Sequence, residues 1–356
     1  MEEVTTTQIR KILSSINYPG FTRDIVSFGV LKSIEIKNKE IVVNLKFTTK
    51  SEDIKKQIVE DVRRTISSQI SGYSLNIIEE NLSGRGDRQE QIGGDPWADR
   101  APIPGVKNIV AIASGKGGVG KSTVSTNLAI ALSKHVNRVG LMDSDIYGPS
   151  IHVMMGIEER PKITTDQKII PIEKYGIRLM SMGFLIDDDA PLIWRGPLVM
   201  KAVEQLLHDV VWGELDILVI DLPPGTGDAQ LTLVQKTPLT GAVIVTTPQE
   251  VALIDARRGL KMFQKVKTKV LGLVENMSYF VCPNCGEKAY IFGNEGGVRS
   301  AKDFNVPLLG QVPIESEVRV AGDDGVPIVI RDPESYSAKA FLNMAEKMIK
   351  DDVFHR

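Results

Sequence analysis

One nine-residue stretch, Gly115-Lys116-Gly117-Gly118-Val119-Gly120-Lys121-Ser122-Thr123, constrains this chain more than any other. It fits G-x-x-x-x-G-K-[ST], a loop whose backbone N–H groups cradle phosphates. The run 108–114 before it is apolar and reads as a short buried strand. The run 123–134 after it has helical spacing. Strand, glycine loop, helix is the context that makes the pattern specific. Glycines let the backbone approach phosphate oxygens, and the helix N-terminus adds partial positive charge. Lys121 is the expected partner of β- and γ-phosphate oxygens, and the Ser122 hydroxyl an expected Mg²⁺ ligand.

Two further segments complete a nucleotide-hydrolysis set. Residues 140–145 end an apolar strand with Asp143-Ser144-Asp145, where Asp145 is placed to orient water or hold the Mg²⁺ shell. Residues 217–221, Ile-Leu-Val-Ile-Asp, place Asp221 after four apolar residues, where it would hold Mg²⁺ through water. Asp143 and Asp228 flank these carboxylates. The segment Leu222-Pro223-Pro224-Gly225-Thr226-Gly227-Asp228 reads as a loop able to sense the γ-phosphate. Phosphoryl transfer needs positioning and charge stabilisation more than covalent chemistry, and these residue types supply both.

From residue 108 onward, apolar strands alternate with helices. Strands are expected at 109–114, 138–143, 177–182, 216–221, 241–247, 269–275 and 307–312, and a helix at 334–350. That alternation implies an α/β fold with a mostly parallel sheet covered on both faces, its ligands at the carboxyl ends of the strands. Residues 1–80 read as a separate small α+β unit: helix 7–16, strands 31–37 and 40–47 around Asn38-Lys39, helix 52–70 and strand 73–78. Residues 81–107, rich in Gly, Pro, Asp and Arg without periodicity, read as a linker. The ATPase domain is expected over 108–356.

The 356 residues carry a net charge of −2, which makes no case for nucleic-acid binding. No apolar run approaches the ~20 residues that span a bilayer. The N-terminus lacks the basic and apolar regions of a signal peptide, and 351–356 is no basic amphipathic helix. A cytoplasmic protein binding neither membrane nor nucleic acid is expected. The two cysteines, Cys282 and Cys285, form a C-P-x-C-G turn like the knuckles of zinc ribbons and rubredoxin. Structural zinc and iron–sulfur clusters usually take about four protein ligands. The four histidines are scattered, so a complete four-thiolate site needs two chains facing their cysteine pairs across a symmetric dimer. The competing readings are a redox pair, a zinc bridge, and a pair with no ligand.

The loop with its additional Lys116 resembles the deviant P-loop ATPases, which include ParA/MinD positioning ATPases, nitrogenase iron protein and the Mrp/ApbC carriers. Residues 108 to about 350 are most similar to the Mrp/ApbC (Nubp-type) carrier ATPases. Residues 114–123, Asp143-Ser144-Asp145-Ile146-Tyr147-Gly148-Pro149-Ser150, Asp221 to Asp228, and Glu275-Asn276-Met277-Ser278-Tyr279 running into Cys282-Pro283-Asn284-Cys285 carry the resemblance. It implies a homodimeric ATPase holding a [4Fe–4S] cluster on Cys282 and Cys285 and delivering it to apoproteins. It also implies a partner-facing Lys116 and an adenine contact for Asn276. The N-terminal unit resembles PaaD/SufT-like domains. It has Asn17-Tyr18-Pro19-Gly20 where those have Asp-Pro-Glu, and Lys50-Ser51-Glu52 where they often carry a cysteine, which leaves a docking or regulatory role. The alternative for the whole chain is a ParA/MinD-like positioning or regulatory switch with a zinc-bridged or metal-free cysteine pair.

Overall fold

The computed structural model describes residues 4–19, 24–26, 29–37, 39–47, 52–70, 72–81, 102–185, 196–225, 227–351 and 354. Most of the expected linker, Gly20, Asn38, Lys50, Ser51, Thr226 and most of the final residues lie outside this set. The chain divides into two compact units, Met1–Gly93 and Gly94–Arg356.

In the first unit, α1 (Thr6–Leu13) starts at a capping box. The Thr5 hydroxyl accepts from the Gln8 N–H, and the Gln8 side chain accepts from the Thr5 N–H at 2.9 Å. Strands β1 (Leu31–Lys37) and β2 (Glu40–Phe47) are antiparallel; helix α2 (Glu52–Gln69) then crosses to β3 (Ser74–Asn81), which runs parallel to β2. The two-residue alternation of β2 buries Ile41, Val43, Leu45 and Phe47. They pack with Ile9 and Leu13 of α1 and Ile58, Val62 and Ile66 of α2.

The second unit runs β4 (Val106–Ser114), α3 (Lys121–Leu132), β5 (Val139–Asp143), α4 (Ile151–Met154), β6 (Ile172–Lys174), β7 (Ile177–Ser181), α5 (Gly196–His208), β8 (Leu215–Asp221), α6 (Asp228–Lys236), β9 (Gly241–Thr246), α7 (Glu250–Lys265) and β10 (Val270–Glu275). It continues through β11 (Phe280–Val281), β12 (Lys288–Ala289), α8 (Gly296–Asp303), β13 (Leu308–Gln311), α9 (Ser316–Asp323), α10 (Ile328–Arg331) and α11 (Tyr336–Lys350). Eight strands form one sheet in the order β13-β10-β9-β4-β8-β5-β7-β6. Every neighbouring pair is parallel except β6–β7, so the fold is α/β with a mostly parallel sheet, and each of the seven expected strands is present. The short edge strand β6 was not expected from the sequence.

Parallel strands covered on both faces must be apolar throughout, and residues 108–114 of β4 are buried without a break. Helix α3 is buried at ten of its twelve positions, packed between the sheet and α11. The central strand β4 feeds directly into the glycine loop. Its neighbour β8 and the next strand, β5, end level with each other, Asp143 paired in register with Asp221. Two carboxylates and the phosphate-cradling loop therefore share the carboxyl edge of the sheet, where open α/β sheets bind ligands.

Candidate nucleotide site and cysteine hairpin

The glycines of the loop are constrained differently. A Cβ on Gly115 would stand 2.2 Å from the Asp255 carbonyl carbon of α7, so this glycine lets the loop pass the helix. Gly120 has φ +80° and a Cβ there would stand 2.1 Å from Asn276 Nδ2. Gly117 differs: its φ is ordinary and a Cβ would meet nothing within 4 Å. The protein itself does not require glycine at 117; a ligand against the loop would.

Lys121, the first residue of α3, is buried with its ammonium 2.7 Å from Asp221 Oδ2 and 3.7 Å from Asp145 Oδ2. Asp221 is held by short bonds on both carboxylate oxygens. Its Oδ2 also accepts from Ser122 Oγ at 2.8 Å, and its Oδ1 from Ser125 Oγ at 2.5 Å. Asp143 accepts from the Asp145 and Ile151 N–H groups and from Ser181 Oγ at 2.8 Å, tying down both ends of the intervening loop. Burial, reinforced by the Asp221 charge, pushes the Asp143 carboxyl up to about 7. Burial also raises Asp145, against the nearby Lys121 ammonium. Asp145 Oδ1 is buried and lacks a hydrogen-bond partner among the described residues, an oxygen left over for a water or a cation. These hard oxygens beside a lysine suit Mg²⁺ and phosphate.

Lys116 is half-buried, on the opposite side of the loop sequence from Lys121, and has no ion-pair partner among the described residues. Asn276 follows β10 and is buried; its Nδ2 donates to the Val119 carbonyl at 2.9 Å. The amide expected at an adenine edge is thus bound to the phosphate-cradling loop.

Strands β11 and β12 form a small antiparallel hairpin that presents both cysteines. The Cys282 N–H donates to the Glu287 carbonyl at 2.9 Å and the Gly286 N–H to the Cys282 carbonyl at 2.8 Å. Gly286 makes this tight turn at φ +74°. Cys285 is exposed and Cys282 partly so. The Asn284 N–H is the largest influence on the Cys282 thiol, and with the Cys285 N–H and side chain it lowers that thiol below its ordinary range. Among the described residues no group of three or more His, Cys, Asp or Glu is placed to hold a metal. Tyr290, Ile291 and Phe292 stand exposed just beyond the hairpin.

A family model described as "ParA: NUBPL iron-transfer P-loop NTPase" matches residues 105–349. The chain belongs to the NUBPL iron-transfer P-loop NTPase family. It is 43% identical over 350 residues to an iron-sulfur cluster carrier protein of Synechocystis, covering 97% of both chains. It is 53% identical over 249 residues to the Arabidopsis thaliana iron-sulfur protein required for NADH dehydrogenase, mitochondrial, covering 70% of this chain and 80% of that protein. A solved nucleotide-binding protein of Archaeoglobus fulgidus in complex with ADP superposes with TM-score 0.58 at 38% identity, covering 67% and 93% of the two chains. The Pyrococcus furiosus cell division ATPase MinD superposes with TM-score 0.53 at 24% identity, covering 68% and 99%, which shows the shared ParA/MinD-like fold.

In this NUBPL-family ATPase the structure gathers Gly115, Lys116, Gly117, Gly118, Val119, Gly120, Lys121, Ser122, Thr123, Asp145, Asp221 and Asn276 at one sheet edge, with Cys282 and Cys285 a few residues beyond Asn276. The sequence marks no role for Ser125, and it names Glu275 only as the first residue of the string that carries the family resemblance. Ser125 sits one helical turn past Lys121 and bonds a carboxylate 96 positions away, a pairing only the folded chain displays. Glu275 is wholly buried, accepting from Ser278 Oγ at 2.6 Å and Gln311 Nε2 at 2.8 Å. Its signals are that string and its place as an acid at the end of an apolar strand.

Proposed function

We propose that the chain is an ATP-hydrolysing iron–sulfur cluster carrier that holds a [4Fe–4S] cargo between the cysteine pairs of two copies and delivers it to apoproteins. The observation that carries this reading is the pairing, in one unit, of a phosphate and cation cradle with an exposed two-thiol turn that gets no third ligand from the described residues of its own chain. The Synechocystis relative is an iron-sulfur cluster carrier protein and the Arabidopsis relative an iron-sulfur protein, which supports the same reading.

In this reading residues 115–123 hold the nucleotide phosphates, with Lys121 meeting the β/γ oxygens. Ser122 and Asp221 would hold Mg²⁺, which neutralises phosphate charge when bound. Asp145, beside Lys121 and with Oδ1 unspent, orients the attacking water. Lys116, with no ion-pair partner among the described residues, is left for the nucleotide of a second copy. Asn276 fixes the loop through Val119 and borders the base. Cys282 and Cys285 bind the cargo, with thiolate character at Cys282 favoured by the turn. The exposed Tyr290, Ile291 and Phe292 suit a symmetric contact that brings the two turns together. Residues 1–80 would be an accessory docking unit, 81–107 a linker and 108–356 the ATPase. The cytoplasm is the expected compartment; among the described residues no helix is long and apolar enough to cross a membrane.

Anaerobic reconstitution with iron and sulfide tests this, with metal and sulfide analysis, absorbance and EPR on the wild type and the Cys282→Ser/Cys285→Ser double variant. About four irons and four sulfides per dimer, lost in the variant, is the expected result. One zinc per dimer, or unchanged iron in the variant, would sink the carrier reading and leave a nucleotide-driven switch.

A further inference from the structure

The turn after β10 touches both halves of the proposed machine. Asn276 reaches back to the glycine loop through its bond to the Val119 carbonyl. Three residues later Tyr279 leads into β11 and the cysteines. Between these ends the backbone is stitched to neighbouring strands: Asn276 N–H to the Thr246 carbonyl at 2.8 Å, Ser278 N–H to Val312 at 2.9 Å, and Ile314 N–H to Tyr279 at 2.7 Å. Met277 turns the chain at φ +54°, a left-handed position unusual for a side chain of that size.

Glu275 braces this turn. It is 0% exposed and has no ion-pair partner among the described residues. One oxygen accepts from Ser278 Oγ at 2.6 Å and Gln311 Nε2 at 2.8 Å, and the other from the Gly297 N–H in the first turn of α8. A Cβ on Gly297 would come within 2.7 Å of that second oxygen, so the helix start is built close around it. A buried carboxylate without a cation is costly unless its hydrogen bonds are all made. Those bonds tie together the turn, β13 and α8.

We propose that Glu275 is a positioning residue that couples the phosphate-cradling loop to the cysteine hairpin. By stiffening the segment from Asn276 to Tyr279, it passes a shift of the Val119 carbonyl on to Cys282 and Cys285 instead of letting the turn absorb it. This rests on the ATP-site and cysteine-pair assignments above, and needs no cluster to be tested.

The experiment is the rate of thiol reaction with dithiobis(nitrobenzoate) in metal-free full-length protein, with and without a saturating Mg²⁺ complex of a non-hydrolysable ATP analogue. In the wild type the nucleotide changes the rate at least threefold. In Glu275→Gln the ratio falls to near one, while melting stays cooperative and analogue affinity stays within threefold. Should Glu275→Gln not fold, Ser278→Ala, which removes one donor to the same carboxylate, carries the test and gives a ratio at least halved. A wild-type ratio of one, or a variant that keeps the wild-type ratio, overturns the proposal. A merely structural brace would lower the melting temperature and leave the ratio alone. Because no iron is present, failure here leaves the carrier reading standing, and failure of reconstitution leaves this ratio interpretable.

Discussion

Lys121 Nζ lies 2.7 Å from Asp221 Oδ2, so the lysine of the phosphate-cradling loop and the carboxylate ending β8 form an ion pair with almost no solvent access. Such a pair contributes little net stability, yet removing one partner strands a buried charge.

Lys121→Ala is therefore expected to lower the unfolding free energy by about 3–5 kcal/mol, read from urea denaturation, and to abolish ATP hydrolysis. Adding Asp221→Asn to that variant removes the stranded charge. It should restore about 1 kcal/mol or more of stability and no activity. Strict additivity of the two substitutions would show that the pair is not coupled.

The loop glycines separate structural from ligand-imposed constraint. Gly117→Ala meets nothing within 4 Å at an ordinary φ. Its melting temperature should stay within about 2 °C while ATP affinity falls by about tenfold or more, ~1.4 kcal/mol. Gly115→Ala would press on the Asp255 backbone. It should cost about 1–3 kcal/mol of stability before any effect on binding is read. Calorimetric melting and nucleotide titration of both variants decide the matter. Equal loss of stability at the two positions would contradict it.

Asp143 makes a pH prediction. Its carboxyl is raised from 3.8 to about 7, chiefly by burial and secondly by Asp221. Between those values the folded chain holds a proton that the unfolded chain has released. The stabilisation from this group is thus complete below 3.8 and lost as pH rises through about 7. The slope from one proton is at most about 1.4 kcal/mol per pH unit. In Asp143→Asn this fall should disappear, leaving the variant flatter than wild type in urea titrations between pH 5 and about 7.

The expected elements were read from local patterns, and those patterns found them. Strand β2 alternates, β4 and β8 are continuous apolar runs, and the glycine loop sits where strand meets helix. The chemistry legible in advance was likewise local: Lys121 and Ser122 adjacent, Cys282 and Cys285 three apart. Contacts that close over long sequence distance were not legible. Ser125 reads as an ordinary polar helix position until β8 delivers Asp221 beside it. Glu275 reads as a strand-end acid until α8 and β13 fold over it. The resemblance points Asn276 toward the base, and its bond to Val119 follows from β10 lying two strands from β4.

The cysteine turn predicts a lowered thiol at Cys282. The N–H groups of Asn284 and Cys285 hold that thiol below its ordinary range. In the metal-free Cys285→Ser variant, where Cys282 is the surviving thiol, thiolate absorbance should rise at lower pH in the folded chain than in the same variant unfolded in urea. Coincident curves, or the reverse order, would show that the turn does not favour a thiolate at Cys282.

Helix α3 is enclosed along nearly its whole length by the sheet and α11. An element gripped on all sides behaves as an anvil: it can receive force from the nucleotide but has nowhere to travel. Any stroke driven by hydrolysis would then pass to the segments around it, and in the proposal above the turn that Glu275 braces is the one that relays it.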